Sequence, residues 1–247
     1  SIAAEIPDDR VYLFYTMYLL TFSGLLGMVI TGDVFNLFVF LEISSLSTYV
    51  MISLGKSRRA MTAAFRYLVL GTVGATFYVI GVGMLYQMTG TLNMADLADK
   101  LPAVTETRTI LVALGFLTVG MGLKLGLFPV HLWLPNAYTY APSVVTAFLA
   151  ATATKVAVYA LLRIYFTVFG LEAIEAYPLD EALLLLGLAA IVSMSAVAIF
   201  QTDVKRLLAY SSVAQLGYMI IGISFLTITG LAAGILHVFN HGLMKAA

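Results

Sequence analysis

The amino-acid sequence predicts an all-α, polytopic membrane helix bundle with about eight crossings. Of 247 residues, 61% are hydrophobic and only 11% charged, against about a quarter charged in soluble domains. The apolar residues fall in continuous runs rather than the short alternating strands of a β-barrel. A run of about 20 residues spans a roughly 30 Å hydrocarbon core. Helices follow because lipid-facing backbone must be satisfied within its own segment.

The spans are predicted at 11–31, 34–54, 63–88, 109–127, 142–169, 180–200, 205–226 and 228–247, within a single membrane domain covering 1–247. In the third, Gly71, Gly74, Ala75, Gly81 and Gly83 permit close helix approach, which is packing rather than chemistry. The fourth is unusual. Thr109 to Tyr138 is a mostly apolar stretch of 30 residues containing Pro129 and Pro135, and proline interrupts a helix by removing a donor and clashing one turn back. Two readings are open: an interfacial loop with Phe128, Trp133, Tyr138 and Tyr140 as an aromatic belt, or a helix broken near mid-membrane just after Lys124. The chain starts at Ser1, shows no signal-peptide pattern and ends at Ala247 inside an apolar run, which predicts an internal fragment of a longer protein.

Charge sets the expected orientation. Lys56, Arg58, Arg59 and Arg66 follow the second span, and Lys205 and Arg206 follow the sixth. The intervening loops hold Asp96, Asp99, Glu106, Glu172, Glu175, Asp180 and Glu181, with Lys100, Arg108 and Arg163 as their basic residues. Residues 1–10 and the 55–62 loop are therefore predicted to be cytoplasmic.

The 13 basic and 13 acidic residues balance, so nothing points to nucleic acid. Without cysteine there are no disulfides, iron–sulfur ligands or thiol nucleophiles, and three histidines argue against haem or structural zinc. No metal site, cofactor, phosphate loop or nucleophile–base set is predicted, and no covalent chemistry.

The chemistry lies in three ionisable residues inside apolar runs: Glu42, Lys124 and Lys155. A charge at the centre of a membrane helix costs roughly 2.5–3.5 kcal/mol on insertion scales, so such residues pair, face the bundle interior or line a wet path. The alternatives are a structural ion pair for Glu42 and Lys124, and snorkelling to the interface for Lys155. His237, His241 and Lys245 recur every four residues and share a helix face. They suit a proton relay, against satisfied core histidines or a metal pair. His131, in the proline-rich connection, is a further candidate. Lys205 reads equally as an anchor of the positive-inside type.

The strings GDVFNLFVFLE (32–42), GLKLGLFPVHLWLPNAY (122–138), ATATKVAVYALLR (151–163), DVKRLLAYSSVAQLGYM (203–219) and HVFNHGLMKA (237–246) occur in this order. The chain resembles the antiporter-like subunits of respiratory complex I and Mrp cation/proton antiporters, and looks most like the D-type subunits of the Mrp antiporters. The resemblance implies an inverted-repeat fold with one broken helix. Residues 11–169 would form a first five-helix repeat and 180–247 part of a second. It implies that Glu42 pairs with Lys124, that Lys155 is the next site along the mid-plane, and that Lys205, His237, His241 and Lys245 continue the axis.

The favoured function is translocation of protons against Na⁺ or another monovalent cation through this Glu/Lys/His relay, as one subunit among other membrane subunits. The alternative is redox-driven proton pumping within an NADH:quinone oxidoreductase or a membrane-bound hydrogenase. A third class, a non-transporting bundle for assembly or ligand binding, predicts that Glu42, Lys124 and Lys155 point to separate surfaces.

Overall fold

The computed structural model describes residues 5–175, 177 and 179–247. Among these no strand forms, and the one extended pairing is an isolated antiparallel bridge between Asp33 and Asn93. The helices are α1 (Val11–Ile30), α2 (Val34–Ser53), α3 (Arg58–Thr89), the short α4 (Met94–Lys100), α5 (Arg108–Leu125), α6 (Trp133–Tyr140), α7 (Ser143–Ala151), α8 (Ala153–Leu162), α9 (Leu171–Glu175), α10 (Leu179–Ile199), α11 (Val204–Ser224) and α12 (Ile228–Ala246). Asp33, Ser57, Asp203 and Thr227 each start a long helix by accepting a backbone N–H with the side chain, which satisfies an otherwise orphaned donor.

Seven helical segments are long and apolar enough to cross a membrane, and they match the first seven predicted spans closely. The protein is an integral membrane protein. The eighth predicted span corresponds to α12, which has 19 residues and rises about 28 Å. His237, Asn240, His241 and Lys245 interrupt the apolar run in its second half.

The loops sort by charge onto two ends. At the basic end, the Glu5 carboxylate accepts from the Ser143 backbone N–H (2.5 Å) and hydroxyl (2.7 Å), and Lys205 Nζ donates to the Ala141 carbonyl at 2.7 Å. At the acidic end, Val34 N donates to Leu92 O and Met94 N to Gly32 O. Arg163 there donates to Thr31 O, and the Tyr177 hydroxyl to Thr105 O. Of the stretch predicted to be cytoplasmic, residues 1–4 lie outside the described residues.

The fourth crossing is a broken helix. α5 ends at Gly126, whose φ of +80° suits glycine and turns the chain away. The connection includes a cis Phe128–Pro129 bond. α6 then resumes, with Pro135 in its first turn, where a missing N–H costs little, and it finishes beside Gly55 at the basic end. The aromatic-belt reading fails here: Trp133 and Tyr138 are 3% and 2% exposed. Trp133 stacks on Tyr67 with ring centroids 4.1 Å apart, and its indole N–H donates to Leu123 O at 2.7 Å. An indole with a partner on both counts is drawn inward rather than to the interface.

The fifth crossing, predicted as one run, is irregular twice. Thr152 (φ −120°, ψ −57°) separates α7 from α8, and Arg163–Phe169 forms a π-helical turn. Such wide turns are often found at functional sites.

α3 packs along both α2 and α5, α5 against α8, and α11 against α10, α12 and α6. The α3–α5 approach depends on small residues. A Cβ at Gly120 would lie 2.7 Å from Tyr78 N and 2.8 Å from Gly74 O. This is the close backbone contact that membrane helices use in place of a hydrophobic driving force.

Candidate functional site

Glu42 is the ninth residue of α2, about 12 Å from one helix end and 17 Å from the other. Lys124 reaches it from the last turn of α5. Its Nζ lies 3.3 Å from Glu42 Oε1 and 2.7 Å from the Ser45 hydroxyl, so the ammonium is held by a carboxylate and a neutral acceptor one turn apart. Lys124 is buried and Glu42 partly exposed, with side-chain exposures of 5% and 25%. Because α6 continues the crossing after the break, Lys124 is placed near mid-depth.

Ser45 belongs to a hydroxyl cluster, Ser44, Ser45, Ser47 and Thr48, whose members also bond back to the Leu41, Ile43 and Ser44 carbonyls. Ser47 additionally accepts from Thr21 of α1. The Tyr49 hydroxyl, near Gly71, is buried without a hydrogen bond of good geometry among the described residues.

Lys155 sits just past the irregularity at Thr152. Its Nζ donates to Ala150 O at 2.5 Å and to Thr154 Oγ1 at 3.3 Å. At the distortion the Lys155 and Val156 amides both bond Thr152 O, while the Lys155 ammonium takes the Ala150 carbonyl of the preceding turn. α12 packs over the same place: Lys155 and Ala151 line a cavity with Val238, Phe239 and Gly242. His237, His241 and Lys245 lie close enough to Lys155 for their charges to interact. The His237 and His241 rings stack with centroids 6.2 Å apart. Both nitrogens of His241 and Nε2 of His237 are buried without partners among the described residues. Lys245 Nζ reaches back to Leu208 O at 2.9 Å.

The predicted residues thus form two groups. Glu42 and Lys124 meet, and Lys155 meets the α12 stripe. No hydrogen bond or ion pair joins Lys124 to Lys155 among the described residues. A run of ring contacts from Tyr67 through Trp133 to Tyr138 links the Leu123 carbonyl beside Lys124 to the Leu149 carbonyl on the helix before Lys155. The Tyr138 hydroxyl, near Thr154, donates to Leu149 O at 3.3 Å. Lys205 lies at the basic end, on the carbonyl that follows α6. His131 lies in the helix break, buried and stacked on Phe128 at 5.4 Å, with Nδ1 lacking a well-formed hydrogen bond among the described residues. Sequence reasoning missed Ser45, Trp133, Tyr138 and Thr154 as parts of the site. The ISSLST run after Glu42 was the available signal for Ser45.

A polytopic bundle with a carboxylate and a lysine paired inside it, beside a broken helix, places the chain among membrane proteins that hold ionised groups within their spans. The family model for the NADH:quinone oxidoreductase/Mrp antiporter transmembrane region matches residues 31–247, and the chain belongs to this family. It is 51% identical over 235 residues to NADH-quinone oxidoreductase subunit N of Desulforudis audaxviator, covering 94% of this chain and 46% of the relative. To the D-type subunit of the Na(+)/H(+) antiporter of Alkalihalophilus pseudofirmus it is 34% identical over 240 residues, covering 97% and 48%. A solved structure of the Mrp complex from a Dietzia species superposes with a TM-score of 0.85 at 30% identity, covering 93% of this chain and 42% of that one. The chain spans about half the length of the curated relatives it matches.

Proposed function

We propose that this chain is the proton-translocating part of a membrane subunit that works within a larger complex, with its basic end in the cytoplasm. The observation that carries the proposal is the position of Lys124 Nζ, between Glu42 and Ser45 and at the end of a broken helix. At an effective dielectric near 20, two unit charges attract by about 5 kcal/mol at 3.3 Å and about 2 at 8 Å. Withdrawing Glu42 by a few ångströms therefore favours proton release from Lys124 by roughly 3 kcal/mol, about a hundredfold. The proton passes by way of water and the Tyr138–Thr154 hydroxyls to Lys155, and on to His237, His241 and Lys245. The unpartnered ring nitrogens of the two histidines suit groups that accept and donate along a hydrated path. Residues 11–169 act as the first repeat and 180–247 as part of the second.

Two energy sources fit this relay. The 51% identity to an NADH-quinone oxidoreductase subunit N supports redox-driven pumping, with electron transfer in partner subunits. The Na⁺/H⁺ antiport favoured by the sequence is supported by 34% identity to the D-type subunit of an antiporter. In the full-length protein within its reconstituted complex, Lys124→Ala is expected to lower proton uptake at least tenfold; undiminished uptake would overturn the proposal. Uptake driven by an electron donor identifies the pump, and uptake driven by a Na⁺ gradient alone identifies the antiporter.

A further inference from the structure

At the basic end, outside the relay, three arginines converge on one cavity of about 320 Å³. Arg59 and Arg66 come from the start of α3 and Arg206 from the start of α11, and Asn136 and Tyr140 of α6 complete the lining. Among the described residues no carboxylate lines it. Among the described residues the only ion pairs are Lys100–Asp96 and Lys124–Glu42, so none of the three guanidiniums is neutralised by one. Asp203, the nearest acid in sequence, accepts from the Arg206 backbone N–H as a helix cap. Arg206 Nε is buried without a hydrogen-bond partner among the described residues, and Arg59 lies 5.9 Å from the centre of the Tyr140 ring. Gathering three like charges is costly unless an anion joins them.

We propose that this cavity binds the phosphate headgroup of an anionic phospholipid. Guanidinium forks match phosphate oxygens, and several together give a directed, charge-assisted site. Depth selects the lipid over a soluble anion. α3 has 32 residues, about 48 Å against a roughly 30 Å core, so its first turns lie at headgroup level. From the cavity mouth an apolar stripe descends into the bilayer. Met61, Phe65, Val69 and Val73 are exposed at intervals of four along α3, Met61 and Phe65 by 61% and 64%. They alternate with the cavity residues Thr62 and Arg66 and provide a track for an acyl chain. The occupant also touches α6, whose Trp133 is bonded beside Lys124, so lipid binding would steady the broken helix.

The test uses the full-length protein in its purified complex, titrated with short-chain phosphatidylglycerol, short-chain phosphatidylcholine or inorganic phosphate, with binding read by native mass spectrometry and thermal stability. Phosphatidylglycerol is expected to bind saturably and at least tenfold more tightly than phosphatidylcholine. The double variant Arg66→Gln/Arg206→Gln should weaken it roughly thirtyfold, at about fivefold per arginine near an anionic surface. Arg58→Gln, outside the cavity, should change it less than twofold and serves as the folded control. Equal binding of the two lipids, or an unaffected double variant, would overturn the proposal. So would inorganic phosphate binding as tightly as phosphatidylglycerol, which would make a free anion the ligand. Crosslinking of the arginines to an acidic segment of a co-purified subunit that excludes the lipid would also overturn it.

Discussion

The indole N–H of Trp133 donates to the carbonyl of Leu123 at 2.7 Å, joining the two halves of the broken helix one residue from Lys124. Past the end of α5 that carbonyl has no amide of a next turn to bond, because the chain leaves the helix at Gly126. Trp133 supplies the missing donor from the far side of the break and buries its ring against Tyr67 while doing so.

Trp133→Phe keeps an aromatic ring for Tyr67 but strands the Leu123 carbonyl. A buried acceptor left unpaired costs about 1–3 kcal/mol. Thermal unfolding of the full-length protein in detergent should show a loss of this size, with proton uptake reduced as well. A loss below about 0.5 kcal/mol would show that the bond does not support the break.

Glu42→Gln leaves the Lys124 ammonium with neutral acceptors only and no countercharge. Removing one partner of a buried pair costs about 3–5 kcal/mol, and the lower figure applies because Glu42 is a quarter exposed. Glu42→Asp keeps the charge at a longer distance and should fall between the parent and Glu42→Gln in stability. Transport should follow the same order. A Gln variant as active as the parent would show that the pair is structural.

Gly120→Ala and Gly115→Ala lie on the same helix and should act in opposite directions. At Gly120 the new methyl would meet the backbone of Tyr78 and Gly74 below 3 Å, whereas at Gly115 nothing lies within 4 Å. Overpacking at Gly120 should cost about 1–3 kcal/mol. At Gly115 the better helix former should be neutral or stabilising by up to about 1 kcal/mol. Equal effects in thermal unfolding would refute the close α3–α5 contact.

Glu5 makes the stability of the basic end pH-dependent. Partial burial pushes its carboxyl up, but the Ser143 hydroxyl and backbone N–H, with Lys205 nearby, hold it below the usual carboxylate range. A depressed folded-state pKa contributes stability that is fully present above the unfolded value, near 4.3, and is lost as pH falls through the folded value. The stability gap between the parent and Glu5→Gln should therefore be constant from neutral pH to about 5 and close below 4. A gap that widens on acidification would contradict the assigned contacts.

The all-helical fold, the positions of the spans and the separation of basic from acidic loops were legible in the sequence. A bilayer demands long apolar runs and internally satisfied backbone, and both leave a plain mark on composition. The identities of Glu42, Lys124 and Lys155 were legible for the same reason, since a charge in hydrocarbon is costly wherever it falls. That Glu42 meets Lys124 was implied by the family resemblance, but the residues by themselves left open which of the three meet, and tertiary structure decided it. FPVHLWLP is equally compatible with an interfacial belt and a buried break; the choice rests on Tyr67 and the Leu123 carbonyl, which lie on another helix and across the break. The distortion at Thr152 carries no proline or glycine to announce it. There Lys155 bonds the Ala150 carbonyl of the preceding turn, and α12 packs over the site. The run of ring contacts from Tyr67 through Trp133 to Tyr138 was likewise beyond the sequence, because Tyr67 lies on a helix far from the other two in the chain.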